Sequence, residues 1–315
     1  MEVTIHRAGL QTTVQDLGRR GYRAAGVPLS GAMDPFALRV ANALVGNVEG
    51  AAALEFTLVG PEVEFSADTV VAIGGADCEG LPSWKPLVAH AGERLRIGPC
   101  LRGYRGYLAV AGGIEVPQVL GSRSTFLRAT LGGHEGRSMR DGDVLRLGTP
   151  AILPAAVAGS PWRIDPRVLP AYNSAPHIRI VRGAQAGEFG EALFTLVFGL
   201  SPQSDRMGLR LTGPALTRSN SEELLSSAVA PGTVQVPADG HPVILMADAQ
   251  TIGGYPQAAH VIAVDLPVVA QLRPGDAVQF VPVELGEAQR LAHVRERELA
   301  ILREGLAQKL RDAPR

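Results

Sequence analysis

Four short segments concentrate the side chains that could do chemistry. The first, Thr12-Thr13-Val14-Gln15-Asp16-Leu17-Gly18-Arg19-Arg20-Gly21, sets a carboxylate, an amide and guanidinium groups beside glycines. Arginine offers a planar fork that fits a carboxylate or phosphate, and glycine lets backbone approach a ligand, so such a turn can bind an anion. A plain turn held by an Asp16–arginine pair accounts for the same residues. The second, Gly121-Ser122-Arg123-Ser124-Thr125, lies between Gly112-Gly113 and Gly132-Gly133-His134. Successive N–H groups, three hydroxyls and Arg123 would make a nest for an oxyanion or phosphate; a generic loop has the same composition. The segment is not a P-loop, which requires a lysine that reaches the phosphates, so Walker-type ATP binding by this chain is excluded. The third, Gln203-Ser204-Asp205-Arg206-Met207-Gly208, and the fourth, Asp248-Ala249-Gln250-Thr251-Ile252-Gly253-Gly254-Tyr255-Pro256, also cluster polar groups at turns. Gln250 can read an amide or ureido group, Tyr255 can donate to a carbonyl, and Gly253-Gly254 permit close approach; hairpin turns with Tyr255 packed at a barrel end are the alternative.

Other chemistries lack their signatures. The seven histidines are scattered with no H-x-x-x-H or H-x-E pattern, so no metal site is expected. No G-x-S-x-G elbow is present. Among the 30 Lys plus Arg residues only Lys85 and Lys309 are lysines, so chemistry that needs an amine has few candidates. The formal net charge is −1 and no terminal block of like charge marks a nucleic-acid arm or membrane-surface patch. Cys78 and Cys100 form no C-x-x-C pair and read as reduced core thiols, which implies a cytoplasmic location. The opening Met1-Glu2-Val3-Thr4 has no signal-peptide character, and no apolar run approaches the roughly eighteen residues of a membrane span.

The elements that must carry these turns are mostly strands. Short runs of Val, Ile, Leu and Thr cut by Gly, Pro and Asp read as antiparallel β-structure, and 315 residues suit two domains. A helix is predicted from Asp34 as N-cap and Pro35 at the first position, with Phe36, Leu38, Ala41, Leu44 and Val45 apolar, up to Gly46. A second is predicted over 285–310, with Leu285, Ala288, Ala292, Leu299, Leu302 and Leu306 on one stripe. The expected domains are 1–150 and 177–284, joined by a Pro-rich linker over 151–176 and followed by the helix from 285. The halves share an order of features: Ser30-Gly31-Ala32-Met33-Asp34 against Ser204-Asp205-Arg206-Met207-Gly208, Gly60-Pro61 against Gly213-Pro214, and Asp141-Gly142-Asp143 against Pro274-Gly275-Asp276. Two related β-units would explain this, as would chance recurrence of a common Gly-Asp turn.

These segments, in this order, resemble the family that comprises the C-type subunit of 5-oxoprolinase, allophanate hydrolase subunit 2 and the KipA-type regulators, also called the biotin-dependent carboxyltransferase family. The resemblance runs from Gly9 to Val283 and rests on Thr13-Val14-Gln15-Asp16-Leu17-Gly18-Arg19, Gly26-Val27-Pro28-Leu29-Ser30-Gly31-Ala32-Met33-Asp34, Gly121-Ser122-Arg123-Ser124-Thr125, Ser204-Asp205-Arg206-Met207-Gly208 and Gln250-Thr251-Ile252-Gly253-Gly254-Tyr255-Pro256. It implies a mainly β fold of two cyclophilin-like β-barrel domains with a few helices. It also implies a B-type partner subunit, an A-type subunit in the 5-oxoprolinase version, and ATP-dependent hydrolysis of 5-oxo-L-proline to L-glutamate, the nucleotide belonging to the complex. The urea carboxylase relatives instead transfer a carboxyl group from biotin carried on another chain, and KipA-type members bind a partner without turnover. Asp16, Arg123, Arg206, Gln250 and Tyr255 are accordingly expected to be catalytic. Gln15, Arg19, Ser30, Asp34, Glu55, Ser122, Ser124, Thr125, Asp205, Thr251, Gly253 and Gly254 are expected to bind a small amide or lactam. The family usually has Arg where this chain has Ala249 and Glu where it has Ser227, which puts the substrate in question.

Overall fold

The computed structural model describes residues 1–220 and 222–311. The chain divides into two compact units, one built from Met1–Arg19, Ser30–Leu169 and the chain from Arg297 on, the other from Arg20–Leu29 and Pro170–Glu296. Arg20–Leu29, numbered inside the expected first domain, therefore belongs to the second unit. Arg23 shows why: its guanidinium donates to the carbonyl of Val229. The Pro-rich stretch makes contacts with the first unit. Val157 and Ile164 are buried, Ile164 N–H donates to Trp84 O at 2.9 Å, and the chain through Leu169 counts with the first unit.

The first unit holds two antiparallel five-stranded sheets. One runs Arg94–Arg96, Glu62–Phe65, Glu2–Arg7, Val144–Leu147, Ile114–Glu115; the other runs Gln11–Gln15, Ala53–Thr57, Cys100–Val110, Thr69–Cys78, Pro86–Ala89. Alternation along Glu2–Arg7 turns Val3 and Ile5 inward, where they join Val63, Phe65 and Leu145 of their own sheet and Leu54, Phe56, Ile73 and Leu108 of the other in one hydrophobic cluster. Helix α1 (Pro35–Leu44) covers the second sheet along Thr69–Cys78 and Cys100–Val110. Asp34 Oδ1 accepts from Ala37 N–H at 2.9 Å as its N-cap. Gly74 allows the close approach, because a Cβ there would stand 2.5 Å from Ala37 O.

The second unit is a closed seven-stranded barrel: His177–Arg182, Gln257–Val261, Thr233–Gln235, Val243–Leu245, Gly208–Thr212, Val197–Leu200, Ala277–Pro282. The parallel pairing of Ile178 with Phe280 closes it. Ile180, Phe198, Leu211, Val234, Ile244, Ala259 and Phe280 are among its buried residues, with the Phe198 and Phe280 rings 6.1 Å apart. A ribbon of Ser227–Ala228 and Ile252–Gly253 lies outside the barrel. Helices α2 (Ala192–Thr195) and α3 (Leu266–Ala270) are short; α4 (Leu285–Arg311) is long and buries Leu299, Leu306 and Leu310, while Leu285, expected on its apolar stripe, is 57% exposed.

The two Gly-Asp turns singled out in the sequence share one geometry. Gly142 and Gly275 both have φ of 91°, a conformation that favours glycine. Asp143 accepts from Arg140 N–H at 2.7 Å and Asp276 from Arg273 N–H at 2.8 Å, and each turn leads into the strand that follows. No described helix is long and apolar enough to cross a membrane.

Candidate functional site

The densest polar cluster of the first unit forms where the buried strand Gln11–Gln15 ends. Asp16 follows that strand and is 8% exposed. Its Oδ1 accepts from Gly18 N–H at 2.8 Å, from Ser122 Oγ at 2.7 Å and from Ser124 Oγ; its Oδ2 accepts from Arg123 N–H at 2.6 Å. The other amides of the turn are committed too. Ser122 N–H donates to Val119 O at 3.3 Å, Ser124 N–H to Ser122 Oγ at 3.0 Å and Thr125 N–H to Val14 O at 2.9 Å. The expected nest of successive N–H groups open to an external phosphate or oxyanion is therefore not formed by 121–125: the Arg123 N–H and the Ser122 and Ser124 hydroxyls serve the chain's own Asp16, and the other amides go elsewhere. The Arg123 side chain turns away to donate from Nε to Val116 O at 3.0 Å.

Around this lock sit groups whose bonding is incomplete. Gln15 is fully buried; its Nε2 donates to Thr13 Oγ1 at 3.0 Å and Thr125 O at 3.1 Å, while its Oε1 has no hydrogen-bond partner among the described residues. Ser30 is 2% exposed, its Oγ likewise has no partner among the described residues, and its backbone is left-handed with φ of 53°. Left-handed backbone is unfavourable for a residue with a Cβ, and buried polar atoms without partners are rare, so both features set Ser30 apart from an ordinary core position. Ser30 lies next to the lock because Ala32 N–H donates to Asp16 O at 2.9 Å and Gly31 packs so tightly that a Cβ there would stand 2.7 Å from Gly18 N. Arg19 is fully buried and donates to Ser124 O; side chains at Gly132 and Gly133 would collide with Arg19 and Thr125.

Asp34 and Glu55 serve a neighbouring network. Glu55 Oε2 accepts from Met33 N–H at 2.9 Å and from the Tyr107 hydroxyl at 2.7 Å, and that hydroxyl accepts from Asp34 N–H at 2.8 Å. Burial, reinforced by the Glu55 and Asp34 carboxylates, pushes the Tyr107 phenol well above its ordinary range, so it stays a donor. Asp34 itself caps α1. Tyr107 escaped the sequence reading because an aromatic inside an apolar strand carries no signal beyond core packing.

The other expected residues lie in the second unit. Arg206 is 6% exposed, and its Nε and Nη2 meet Asp248 Oδ2 and Oδ1 at 2.9 and 3.2 Å, so its charge is matched inside the fold rather than offered as an open anion clamp. Asp205 Oδ1 accepts from Met207 and Gly208 N–H at 2.8 and 3.2 Å, as a turn residue does. Gln250 Nε2 donates to Gln235 Oε1 at 3.4 Å, and Gln235 Nε2 donates to Tyr255 O at 3.3 Å. A Cβ at Gly253 would stand 2.8 Å from Gln235 Nε2, so glycine there makes room for this amide; a Cβ at Gly254 would meet Leu224 O and Ser226 Oγ at 3.5 Å, and Tyr255 is 54% exposed. Thr251 is buried and its carbonyl accepts from Val229 N–H at 3.1 Å. Gln235 was missed in the sequence, although an amide between Val234 and Val236 in a buried strand is an irregularity that could have flagged it. Ala249 sits in a small apolar cluster with Val229 and Leu245, and Ser227 Oγ accepts from Gln257 Nε2 at 2.9 Å. Among the described residues no three His, Cys, Asp or Glu side chains are grouped to hold a metal ion.

The family described as carboxyltransferase domain, subdomain A and B, matches residues 25–282. The chain is 44% identical to the C-type subunit of 5-oxoprolinase from Escherichia coli over 294 residues, covering 90% of this chain and 92% of that protein. It is 36% identical to the urea amidolyase of Lachancea kluyveri over 335 residues, covering 96% of this chain but only 18% of that protein. The crystal structure of the K. lactis urea amidolyase superposes with a TM-score of 0.88 at 32% identity, over 96% of this chain and 20% of the larger one. With sequence, sheet topology and the family match in agreement over most of its length, this chain belongs to the carboxyltransferase-domain family, subdomain A and B.

Proposed function

We propose that this chain is the C-type subunit of an ATP-dependent 5-oxoprolinase, which hydrolyses 5-oxo-L-proline to L-glutamate in a complex with a B-type and an A-type subunit. The observation that carries this reading is the end-to-end similarity to the C-type 5-oxoprolinase subunit of Escherichia coli, against a match to only a fraction of the urea amidolyases. The first unit offers acceptors suited to a cyclic amide. Gln15 Oε1 and Ser30 Oγ are buried oxygens without partners among the described residues, and a lactam presents one N–H that needs such an acceptor. Asp16, Ser122, Arg123, Ser124 and Thr125 hold the wall of this site through the carboxylate lock. ATP, where bound, supplies phosphoryl activation of the amide oxygen. The turn 121–125 does not fit it, because its N–H groups from Ser122 to Thr125 already donate within the fold, and no step through the nucleotide is assigned to this chain.

The test is reconstitution with the partner subunits, measuring 5-oxoproline-dependent ATP hydrolysis and glutamate release with and without this chain. Dependence on the chain supports the reading, and a stable complex without turnover sinks it. The family match also favours a second reading, carboxyl transfer from biotin borne on another chain, with the Gln235–Gln250 amides reading a ureido group. Capture of a biotinylated partner together with urea-dependent turnover would establish it in place of the first.

A further inference from the structure

The chain has two cysteines, and the fold sets them face to face. Cys78 ends the strand Thr69–Cys78, Cys100 begins Cys100–Val110, and the two are register partners on adjacent antiparallel strands. Their Sγ atoms are 3.7 Å apart. Cys100 sends its N–H to Leu58 O, on the side away from Cys78, so the pair occupies a non-hydrogen-bonded site of the ladder. At such sites opposed Cα atoms are about 4.5 Å apart and side chains come closest, which lies within the Cα separation that a disulfide spans. Bringing the sulfurs to bonding distance therefore needs side-chain rotation and no transport of backbone. The ladder register shifts between Asp77 and Cys78, which loosens this end of the sheet.

We propose that Cys78 and Cys100 are a reversible redox site that closes to an intramolecular disulfide when the protein meets a peroxide. One thiolate attacks a peroxide oxygen, giving a sulfenic acid and releasing the other oxygen as water or alcohol. The second thiol then attacks the sulfenic sulfur, the S–S bond forms, and the sulfenic oxygen leaves as water. The pair loses two protons and two electrons, and the peroxide accepts both. At 8% and 5% exposure the thiols are screened from bulky disulfides, whereas a peroxide is small enough to reach them. The closed form ties together the strand ends that flank Glu79–Pro99, a segment that includes the buried Trp84 and the strands Pro86–Ala89 and Arg94–Arg96. The absence of any third cysteine means that no other intramolecular disulfide competes.

The experiment is intact-mass and non-reducing peptide analysis of the full chain after hydrogen peroxide treatment in native buffer. The expected product is a monomer about 2 Da lighter, with the Cys78 and Cys100 peptides joined, restored by dithiothreitol, and a higher urea midpoint in the oxidised form. The Cys78→Ser and Cys100→Ser variants should trap the remaining thiol as a sulfenic acid detectable with dimedone. Gain of oxygen without the link in the wild type, covalent dimers in place of the monomer, or a link that forms only after unfolding in urea would each overturn the proposal. The wild-type mass decides the matter even if a serine variant fails to fold.

Discussion

At the scale of single residues, the polar cluster of the first unit separates saturated groups from groups with unmatched polar atoms. Asp16 is saturated: two hydroxyls and two backbone N–H groups converge on its carboxylate. Hydrogen bonds to a charged acceptor contribute more than neutral ones, and an amide at this position would turn N–H groups toward at least one donor. Asp16→Asn should therefore destabilise the protein by about 3 kcal/mol in urea unfolding; an unchanged midpoint would show that the lock carries no such energy. Ser30 is the opposite case. Its hydroxyl is buried without a partner among the described residues, so Ser30→Ala removes a desolvated group and keeps the same left-handed backbone burden. Stability should stay within about 0.5 kcal/mol of wild type or rise. KM for 5-oxoproline in the reconstituted complex should rise about tenfold, the loss of one hydrogen bond to a neutral ligand group.

At the scale of the element, the barrel carries a titratable group on its own ladder. His260 lies in the strand Gln257–Val261 opposite Thr233, with Nδ1 at 3.3 Å from Thr233 Oγ1, and burial lowers its pKa. A histidine held neutral in the fold binds fewer protons than in the unfolded chain. Its contribution to stability is complete above the unfolded pKa of about 6.5 and is lost as pH falls from there through the lower folded value. Within that window urea unfolding of the wild type should weaken toward acid by up to about 1.4 kcal/mol per pH unit more than that of His260→Gln. Parallel curves for the two proteins would exclude His260 as the source. The same reasoning assigns acid sensitivity to the Asp143 turn, where hydrogen bonding from Arg137, outweighing desolvation, holds the carboxyl below its usual range.

At the scale of the whole molecule, the chain combines a two-sheet unit with a closed barrel, and its sequence holds no P-loop motif. The isolated chain should give no 5-oxoproline-dependent ATP hydrolysis, and activity should appear on mixing with the B-type and A-type subunits. A phosphate-release assay on the chain alone checks this; turnover without partners would relocate the nucleotide site to this chain.

The local features were legible in the sequence because they depend on neighbours within a turn or two. Asp34-Pro35 announced α1, Gly46 its end, and the glycines of Asp141-Gly142-Asp143 and Pro274-Gly275-Asp276 the two matching turns. The ordered motifs were enough to point to the family. Three outcomes needed the tertiary structure. Asp16 accepts from Ser122, Arg123 and Ser124, more than 100 positions away, Arg206 is neutralised by Asp248 across 42 positions, and Arg20–Leu29 joins the second unit through groups such as Val229. Composition shows that a turn has donors; the direction in which they point is set by which distant strand folds against it. For that reason the sequence located the polar segments, and only the fold separated locked carboxylates and matched charges from the two unmatched oxygens of Gln15 and Ser30.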